Sequence, residues 1–506
     1  MDTRPIRFVH RGQITAVEGV SPTRSVLDWL REDARCTGSK EGCAEGDCGA
    51  CTVLVAELAE DAPASAAATI VGGLSLRPVN GCIRFLPTLD GKALLTVEDL
   101  GSTETLHPVQ QAMVECHGSQ CGFCTPGFVM SLAATYEHHN EAGTQPTRRQ
   151  IADDLSGNLC RCTGYKPIVD AGQRMFGLPV QRLDTAPLLA QLRALKADAA
   201  LSYAAPNPAA GGRSDTFRAP RTLAALASDV AQQPQARLLA GCTDIGLWVN
   251  KQFRDLGDIV YLGEVAELKR IEVIDGALHI GAGAPLQDAW AALAHHWPSL
   301  GELGLRFAGP PTRHAGTMGG NVANGSPIGD SAPALIALGA HIVLRRDTQT
   351  RTLALDDFYL DYMKNRLETG EFLQTIVVPL PQPGQQVRGY KVSKRYDCDI
   401  SALCAGLSIT LDGDTVREAR FAFGGMAGTV KRAAAAEAAV RGQPWSEATV
   451  KAAMQALATD YKPLTDLRAS ADYRSQVAAG LLKRFWLETR VAAPLAAHDT
   501  TVWAHA

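Results

Sequence analysis

A multidomain α+β chain is what the sequence predicts, on three observations. Its 506 residues exceed what one hydrophobic core organises. Ten of its 13 cysteines crowd into the first 162 residues. Beyond an Ala-, Pro- and Gly-rich stretch at residues 178–215, strand-like runs alternate with helical ones across glycine-rich joints. Hydrophobic residues make up 46% and charged residues 20%, the balance of a folded protein rather than a disordered one. The net charge of −4, without a basic run, argues against a nucleic-acid partner. No segment approaches about 20 uninterrupted apolar residues, so no membrane partner is expected. Met1–Gly12 lacks the apolar run of a secretory signal, and a cytoplasmic location is the default expectation.

The elements follow in order. Residues 1–85 read as a small α+β unit. Ile6–Val9 and Gln13–Val17, joined across Gly12, predict a hairpin, and Ser25–Glu32 a short amphipathic helix. Cys51–Val55 and Cys82–Leu86 read as later strands, with a small-residue loop at Ala62–Ala68 between them. Residues 86–177 turn helical. Thr125-Pro126 starts one helix, with a capping hydroxyl and proline at the first helical position, Thr147 and Gln150 form a capping box before a second, and Lys166-Pro167 opens a third. Residues 178–213 are expected to be a surface linker. A larger α+β unit is expected over 214–385 and a final one over 386–495. In the latter, two alanine-rich helices within Lys431–Ala458 are split at Gly442-Gln443-Pro444.

The first chemical signal is cysteine spacing. Cys43, Cys48 and Cys51 are separated by four and then two residues, and Cys82 follows after thirty. This is the plant-type ferredoxin spacing for a [2Fe–2S] cluster. Each iron takes two thiolates, so one tight loop can supply three ligands and a neighbouring segment the fourth. Gly42, Gly46 and Gly49 permit the loop's backbone turns and let amides approach the sulfurs. A zinc site or buried free thiols are the alternatives, although zinc usually shows two short pairs. Cys36 lies outside the pattern.

Cys121 and Cys124 form a Cys-x-x-Cys pair, and Cys160 and Cys162 a Cys-x-Cys pair. Spacing alone leaves zinc, a dithiol redox pair and a second iron–sulfur cluster open. Each pair shortly precedes a helix start, whose unpaired amides suit an anionic thiolate cluster.

Two glycine-rich segments stand out further on. Arg237–Gly246 runs from an apolar strand through a turn into a helix. Gly316–Asp330 reads as a long loop before a helix at Ser331–Leu338. Small residues there allow main-chain amides to close on a pyrophosphate, and Asp330 could accept hydrogen bonds from ribose hydroxyls. Ordinary turn glycines are the alternative. No G-x-G-x-x-G follows a strand, which argues against a Rossmann site. The histidine pairs His138-His139 and His295-His296 read as solvated or capping residues.

The segments Glu41-Gly-Cys…Cys-Gly-Ala-Cys51, Gln120-Cys-Gly-Phe-Cys-Thr-Pro-Gly127 and Asn158-Leu-Cys-Arg-Cys-Thr-Gly-Tyr165 together resemble the iron–sulfur part of the molybdenum hydroxylases, the xanthine oxidase/dehydrogenase family. The resemblance covers nearly the whole chain. It implies a β-grasp ferredoxin-like domain, an all-α [2Fe–2S]-binding domain, an α+β FAD-binding domain like that of vanillyl-alcohol oxidase and a C-terminal α+β domain. It implies that Cys43, Cys48, Cys51 and Cys82 hold one cluster and Cys121, Cys124, Cys160 and Cys162 a second. Gln120 would approach a molybdopterin cofactor carried by a partner.

For FAD, the resemblance implies contacts from Leu238, Leu239, Ala240, Gly241, Cys242, Thr243, Asp244 and Ile245 around the pyrophosphate. Phe307, Thr317, Gly320, Asn321, Asp330, Leu373 and Lys391 match further contacts. Cys398 falls in a segment that resembles the loop near the flavin ring, where roles for Asp397 and Asp399 stay open. Cys242 and Cys404 would be packed thiols. No catalytic residue is expected in this chain. The expected role is an electron relay from a large molybdopterin subunit, in an α2β2 heterotetramer, through two clusters to FAD and then NAD, during oxidation of hypoxanthine and xanthine to urate. Aldehyde or N-heterocycle substrates, or a stand-alone NADH-dependent reductase, are the alternatives.

Overall fold

The computed structural model describes residues 3–62, 69–207 and 210–500. The N-terminal hairpin forms as expected, with Ile6–His10 antiparallel to Gln13–Val17. Arg11 and Gly12 both take positive φ, as a two-residue hairpin turn requires. The hairpin opens a six-stranded sheet. Ile6–His10 runs parallel to Ala93–Leu95, which pairs with Thr52–Leu58, then Leu74–Asn80, then Thr69–Val71. One helical turn capped by Ser25, Val26–Asp28, continues as the wider helix Trp29–Asp33 and buries Val26, Leu27, Trp29 and Leu30 on the sheet. This is the mixed-sheet, crossing-helix arrangement of a β-grasp unit.

Cys82–Leu86, expected as a strand, is not one. The strand ends at Asn80. Gly81 and Arg84 instead give their carbonyls to Leu27 and Val26 at the start of the helical segment. That turn brings Cys82 back over the loop that carries the other three thiols. The loop expected at Ala62–Ala68 lies mostly outside the described residues.

Helices Pro108–Glu115, Thr125–Ala142, Arg148–Asp154 and Lys166–Arg174 make the second unit, closed around Met113, Phe128, Leu132, Tyr136, Ile151 and Ile168. Thr147 and Gln150 form the anticipated reciprocal cap, whereas Thr125 is not a cap: Cys124 precedes the helix, Thr125 is its first residue and its hydroxyl donates to Ser119.

The surface linker expected at 178–213 is a second correction. Thr185–Lys196 is a helix whose Leu188, Leu192 and Leu195 pack on Leu54, Leu76 and Val71 of the N-terminal sheet. Leu201–Asn207 is already a strand of the next unit, antiparallel to Arg213–Ala219. Spacing of three and four residues between the leucines places them on one helix face, and burying that face outweighs the loop-like composition.

The third unit has two large sheets and a two-stranded ribbon, Tyr359–Asp361 with Lys364–Asn365. In the first, Ile259–Tyr261 lies parallel between Arg213–Ala219 and Arg237–Leu239, with Leu201–Asn207 at the edge. Its Tyr203, Phe217, Leu239 and Tyr261 share one core with Phe8, Trp29, Val53 and Phe85 of the N-terminal unit. The second sheet orders Ile271–Ile274, Ala277–Gly281, Phe372–Pro379, His341–Arg346 and Gln349–Ala354. The loop expected at Gly316–Asp330 contains a helix of its own, Met318–Asn324, because Thr317 caps the Gly320 amide. The last unit pairs Gln385–Val392, Leu403–Asp412 and Thr415–Gly424 under the helices Ala434–Val440, Glu447–Asp460 and Ala471–Thr489. The first two of these are the alanine-rich helices expected around Gly442-Gln443-Pro444.

Candidate functional site

The four thiols of the first motif meet. Cys43 lies against Cys48 and Cys82, and Cys51 against Cys82. The backbone amides of Glu45 and Cys48 point at the Cys43 sulfur, at 3.5 and 3.4 Å. Hydrogen bonds from its thiol neighbours Cys48 and Cys82 hold Cys43 far below its ordinary value, while theirs are pushed up. A Cβ on Gly42 would stand 2.8 Å from the Cys48 sulfur, so the loop closes only around glycine. Ala44, at the loop's tip, is held with φ of 55°, a strained value for a non-glycine residue.

The second motif also assembles. Cys124 contacts Cys160, and Cys121 contacts Cys162. Thr163 donates to the Cys160 sulfur at 3.2 Å. Burial, then Cys160, pushes the Cys124 thiol up to about 12. Among the described residues no three His, Cys, Asp or Glu side chains converge on a single ion. Two thiol pairs side by side offer the two donors that each iron of a binuclear cluster takes. Cys121 and Cys162 are exposed, as is Gln120 beside them, whereas Cys51 and Cys82 are buried.

The two thiol groups are joined by backbone. Leu159, next to Cys160, donates its amide to the Cys48 carbonyl at 2.9 Å. Asn158, only 2% exposed, donates to the Gly49 carbonyl and to Thr52, and accepts from Ser131. Gly127, Gly49, Gly157 and Gly309 form a seam in which no side chain fits. A Cβ on each would lie 2.1 to 2.4 Å from the next glycine's backbone, or for Gly157 2.5 Å from Pro311.

That seam ends at a cavity of about 710 Å³ between the two sheets of the third unit and the loop 398–401. Fourteen of the fifteen residues anticipated around FAD line it: Leu238, Ala240, Gly241, Cys242, Thr243, Asp244, Ile245, Phe307, Thr317, Gly320, Asn321, Asp330, Leu373 and Lys391. Leu239 does not; period-two alternation along its strand sends it into the shared core. Gly241 packs on the Ala315 carbonyl, where a Cβ would be 2.1 Å away, so the two glycine-rich segments press together into one cradle. The small residues, the capped helix start at Thr317 and the cavity's volume fit a dinucleotide flavin.

Asp330 and Lys391 form a buried ion pair at 2.7 Å, and Ser401 donates to the other carboxylate oxygen at 2.6 Å. Asp330 is thus already anchored, with acceptor capacity left towards the cavity. Cys398 also lines the cavity, its thiol donated to the Ser156 carbonyl and pushed up to about 12 by burial. Asp399 lines it too, while burial pushes the Asp397 carboxyl up against the opposing charges of Arg149, Arg306 and Arg313. Cys242 and Cys404 are buried thiols, as expected.

Sequence reasoning missed what links these sites. Gly46 and Asp47, inside the first cysteine loop, line the cavity together with Gly157 and Gly309. Asn250, on the helix that follows the 238–245 turn, donates to the Cys82 carbonyl at 2.7 Å and the Ala44 carbonyl at 3.2 Å. Asn80 and Thr312 bridge the same junction. No local motif marks these residues.

Three family models match the chain. They are a [2Fe-2S] binding domain over residues 96–173, the FAD binding domain in molybdopterin dehydrogenase over 213–381, and the CO dehydrogenase flavoprotein C-terminal domain over 388–489. Fold, paired thiols and matched domains define an iron–sulfur flavoprotein of the oxidoreductase class. The chain belongs to the molybdenum hydroxylase family. It is 30% identical to a xanthine dehydrogenase of Emericella nidulans over 95% of its own length and 38% of that protein. It is 27% identical to aldehyde oxidase 1 of Bos taurus, again over 95% of this chain but 39% of that one. The chain therefore spans less than half the length of these relatives. Among solved structures it is similar to a carbon monoxide dehydrogenase from Hydrogenophaga pseudoflava that lacks the Mo-pyranopterin moiety of its cofactor. The TM-score is 0.51 and the identity 28%, covering 55% of this chain and 96% of that one.

Proposed function

We propose that this chain is the electron-transfer subunit of a xanthine dehydrogenase, working with a molybdopterin-bearing subunit in an α2β2 assembly in the cytoplasm and delivering electrons to NAD. The observation that carries this is spatial order. An exposed thiol pair beside Gln120 leads through the Leu159–Cys48 hydrogen bond to a thiol group in which Cys51 and Cys82 are buried and whose own loop, at Gly46 and Asp47, walls the flavin cavity. Two [2Fe–2S] clusters would carry single electrons, and FAD would gather them into the hydride that NAD accepts. Cys43, Cys48, Cys51 and Cys82 hold one cluster; Cys121, Cys124, Cys160 and Cys162 the other. The 238–245 turn and the Thr317 helix start cradle the pyrophosphate, and Asp330, fixed by Lys391 and Ser401, faces the nucleotide.

No side chain here acts as general acid or base. The protein's work is to fix distances, exclude water from the buried cluster and present an interface. Phe123 at 44% and Tyr165 at 40% exposure flank the outer thiols with apolar surface, as an interface core requires. Oxidation of hypoxanthine and xanthine to urate is the reaction that the xanthine dehydrogenase relatives favour. The 27% identity to aldehyde oxidase 1 favours an aldehyde-oxidising partner as the second reading.

The test is paramagnetic resonance of the reduced chain. It should hold about four irons and show two [2Fe–2S] signals. Cys43→Ser should remove one and Cys124→Ser the other. Zinc in place of iron at the second site in anaerobically prepared protein would overturn the assignment.

A further inference from the structure

We infer that Asn80 is a positioning residue that joins the inner cluster to the wall of the flavin cavity and tunes that cluster's reduction potential. The inference rests on the assignment of a cluster to Cys43, Cys48, Cys51 and Cys82. Asn80 ends the strand Leu74–Asn80, opposite Thr52, and is only 2% exposed, so its amide must find partners inside the protein. Its Nδ2 lies 3.9 Å from the Cys51 sulfur. Its Oδ1 lies 3.5 Å from the Thr312 hydroxyl, which also reaches the Gly46 carbonyl at 3.3 Å.

Chemistry fixes the orientation. A ligating thiolate only accepts, so the amide turns its N–H group to sulfur. The oxygen then accepts from the Thr312 hydroxyl. Thr312 and Gly46 both line the flavin cavity. Asn80 therefore touches a cluster ligand on one side and, through Thr312, the flavin unit on the other. An N–H directed at a ligand sulfur stabilises the more negative, reduced cluster and raises its potential. Docking of the flavin unit thereby sets the strength of that hydrogen bond, and with it the driving force of the last electron step inside the chain.

The experiment is a redox titration of the full chain, holding both clusters and FAD, followed by paramagnetic resonance. The signal lost in Cys43→Ser reports the inner cluster, and the other signal is the internal control. Asn80→Leu should shift the inner cluster's reduction equilibrium about tenfold towards the oxidised form, about 59 mV for one electron, and leave the control in place. Thr312→Val, which substitutes no residue of the cysteine loop although it also releases the Gly46 carbonyl, should shift the same signal in the same direction by a smaller amount at full iron content. It decides the matter should Asn80→Leu fail to assemble its cluster. An unchanged inner midpoint in Thr312→Val overturns the inference, as does an unchanged midpoint in an iron-replete Asn80→Leu. If no signal depends on Cys43, the cluster assignment itself falls, and that outcome is distinct from a Cys43-dependent signal that Asn80 does not move.

Discussion

Asp330 carries the most chemistry of any single residue in the flavin cavity. Buried Lys391 neutralises it and Ser401 steers it, so it is held in place whether or not a nucleotide is bound. Asp330→Ala removes an acceptor from the cavity and strands a buried ammonium. FAD affinity should fall by about 1–3 kcal/mol, read by fluorescence of the released flavin. Unchanged affinity would place the ribose elsewhere. Asp154 gives a pH prediction. Part of the residue reaches the surface, but its carboxyl is walled in, and burial pushes it up to about 6 from 3.8, against the Thr135 hydrogen bond. Between those values the folded state holds the extra proton. Stability therefore falls as pH rises through that window and stays lower above it. Asp154→Asn should raise stability at neutral pH by about 1–3 kcal/mol, and the gain should vanish below about pH 4 in denaturant titrations. The eight paired cysteines were legible because ligand chemistry fixes their local spacing. Asn80, Thr312 and Asn250 were not, because each acts on a partner far away in the chain.

At the scale of elements, close backbone contact decides where the units meet. The helix Thr125–Ala142 can approach the inner cysteine loop only because residue 127 has no side chain. Gly127→Ala would drive a methyl to 2.1 Å from the Gly49 carbonyl and should cost about 2–4 kcal/mol, with loss of iron, in thermal unfolding monitored by cluster absorbance. Gly480→Ala is the contrast. It sits inside the helix Ala471–Thr489 with nothing within 4 Å of the added Cβ, and should stabilise by about 0.5–1 kcal/mol. Full stability in Gly127→Ala would show that the seam is slack. The hairpin, the Thr147–Gln150 capping box and the alanine-rich helices were readable from local rules. The helix Thr185–Lys196 was not, since Ala, Pro and Gly around it set a loop-like composition while three leucines carried the helical period. The Cys82 segment misled in the other direction: its apolar run has strand composition, but its backbone is taken up by the helix start at Val26.

For the molecule as a whole, the units are ordered by shared surfaces rather than strung on a linker. The N-terminal unit and the first sheet of the flavin unit bury one core, and Asn250 pins the cysteine loop from the far side. Motif order along the chain announced the parts, and the glycine seam, which only folding reveals, shows how they touch. No helix among the described residues is long and apolar enough to cross a membrane. The proposed division of labour has this chain moving electrons that a partner, meeting it at the Gln120 face, supplies. The direct measurement is xanthine-dependent NAD reduction by the chain alone, with a co-expressed molybdopterin subunit, and with Gln120→Ala in that complex, alongside NADH–dye turnover in each. The chain alone should reduce the dye from NADH and leave xanthine untouched. The complex should reduce NAD, and Gln120→Ala should slow that reaction while sparing dye turnover. Hydroxylation of xanthine by the molybdenum-free chain alone would contradict the account.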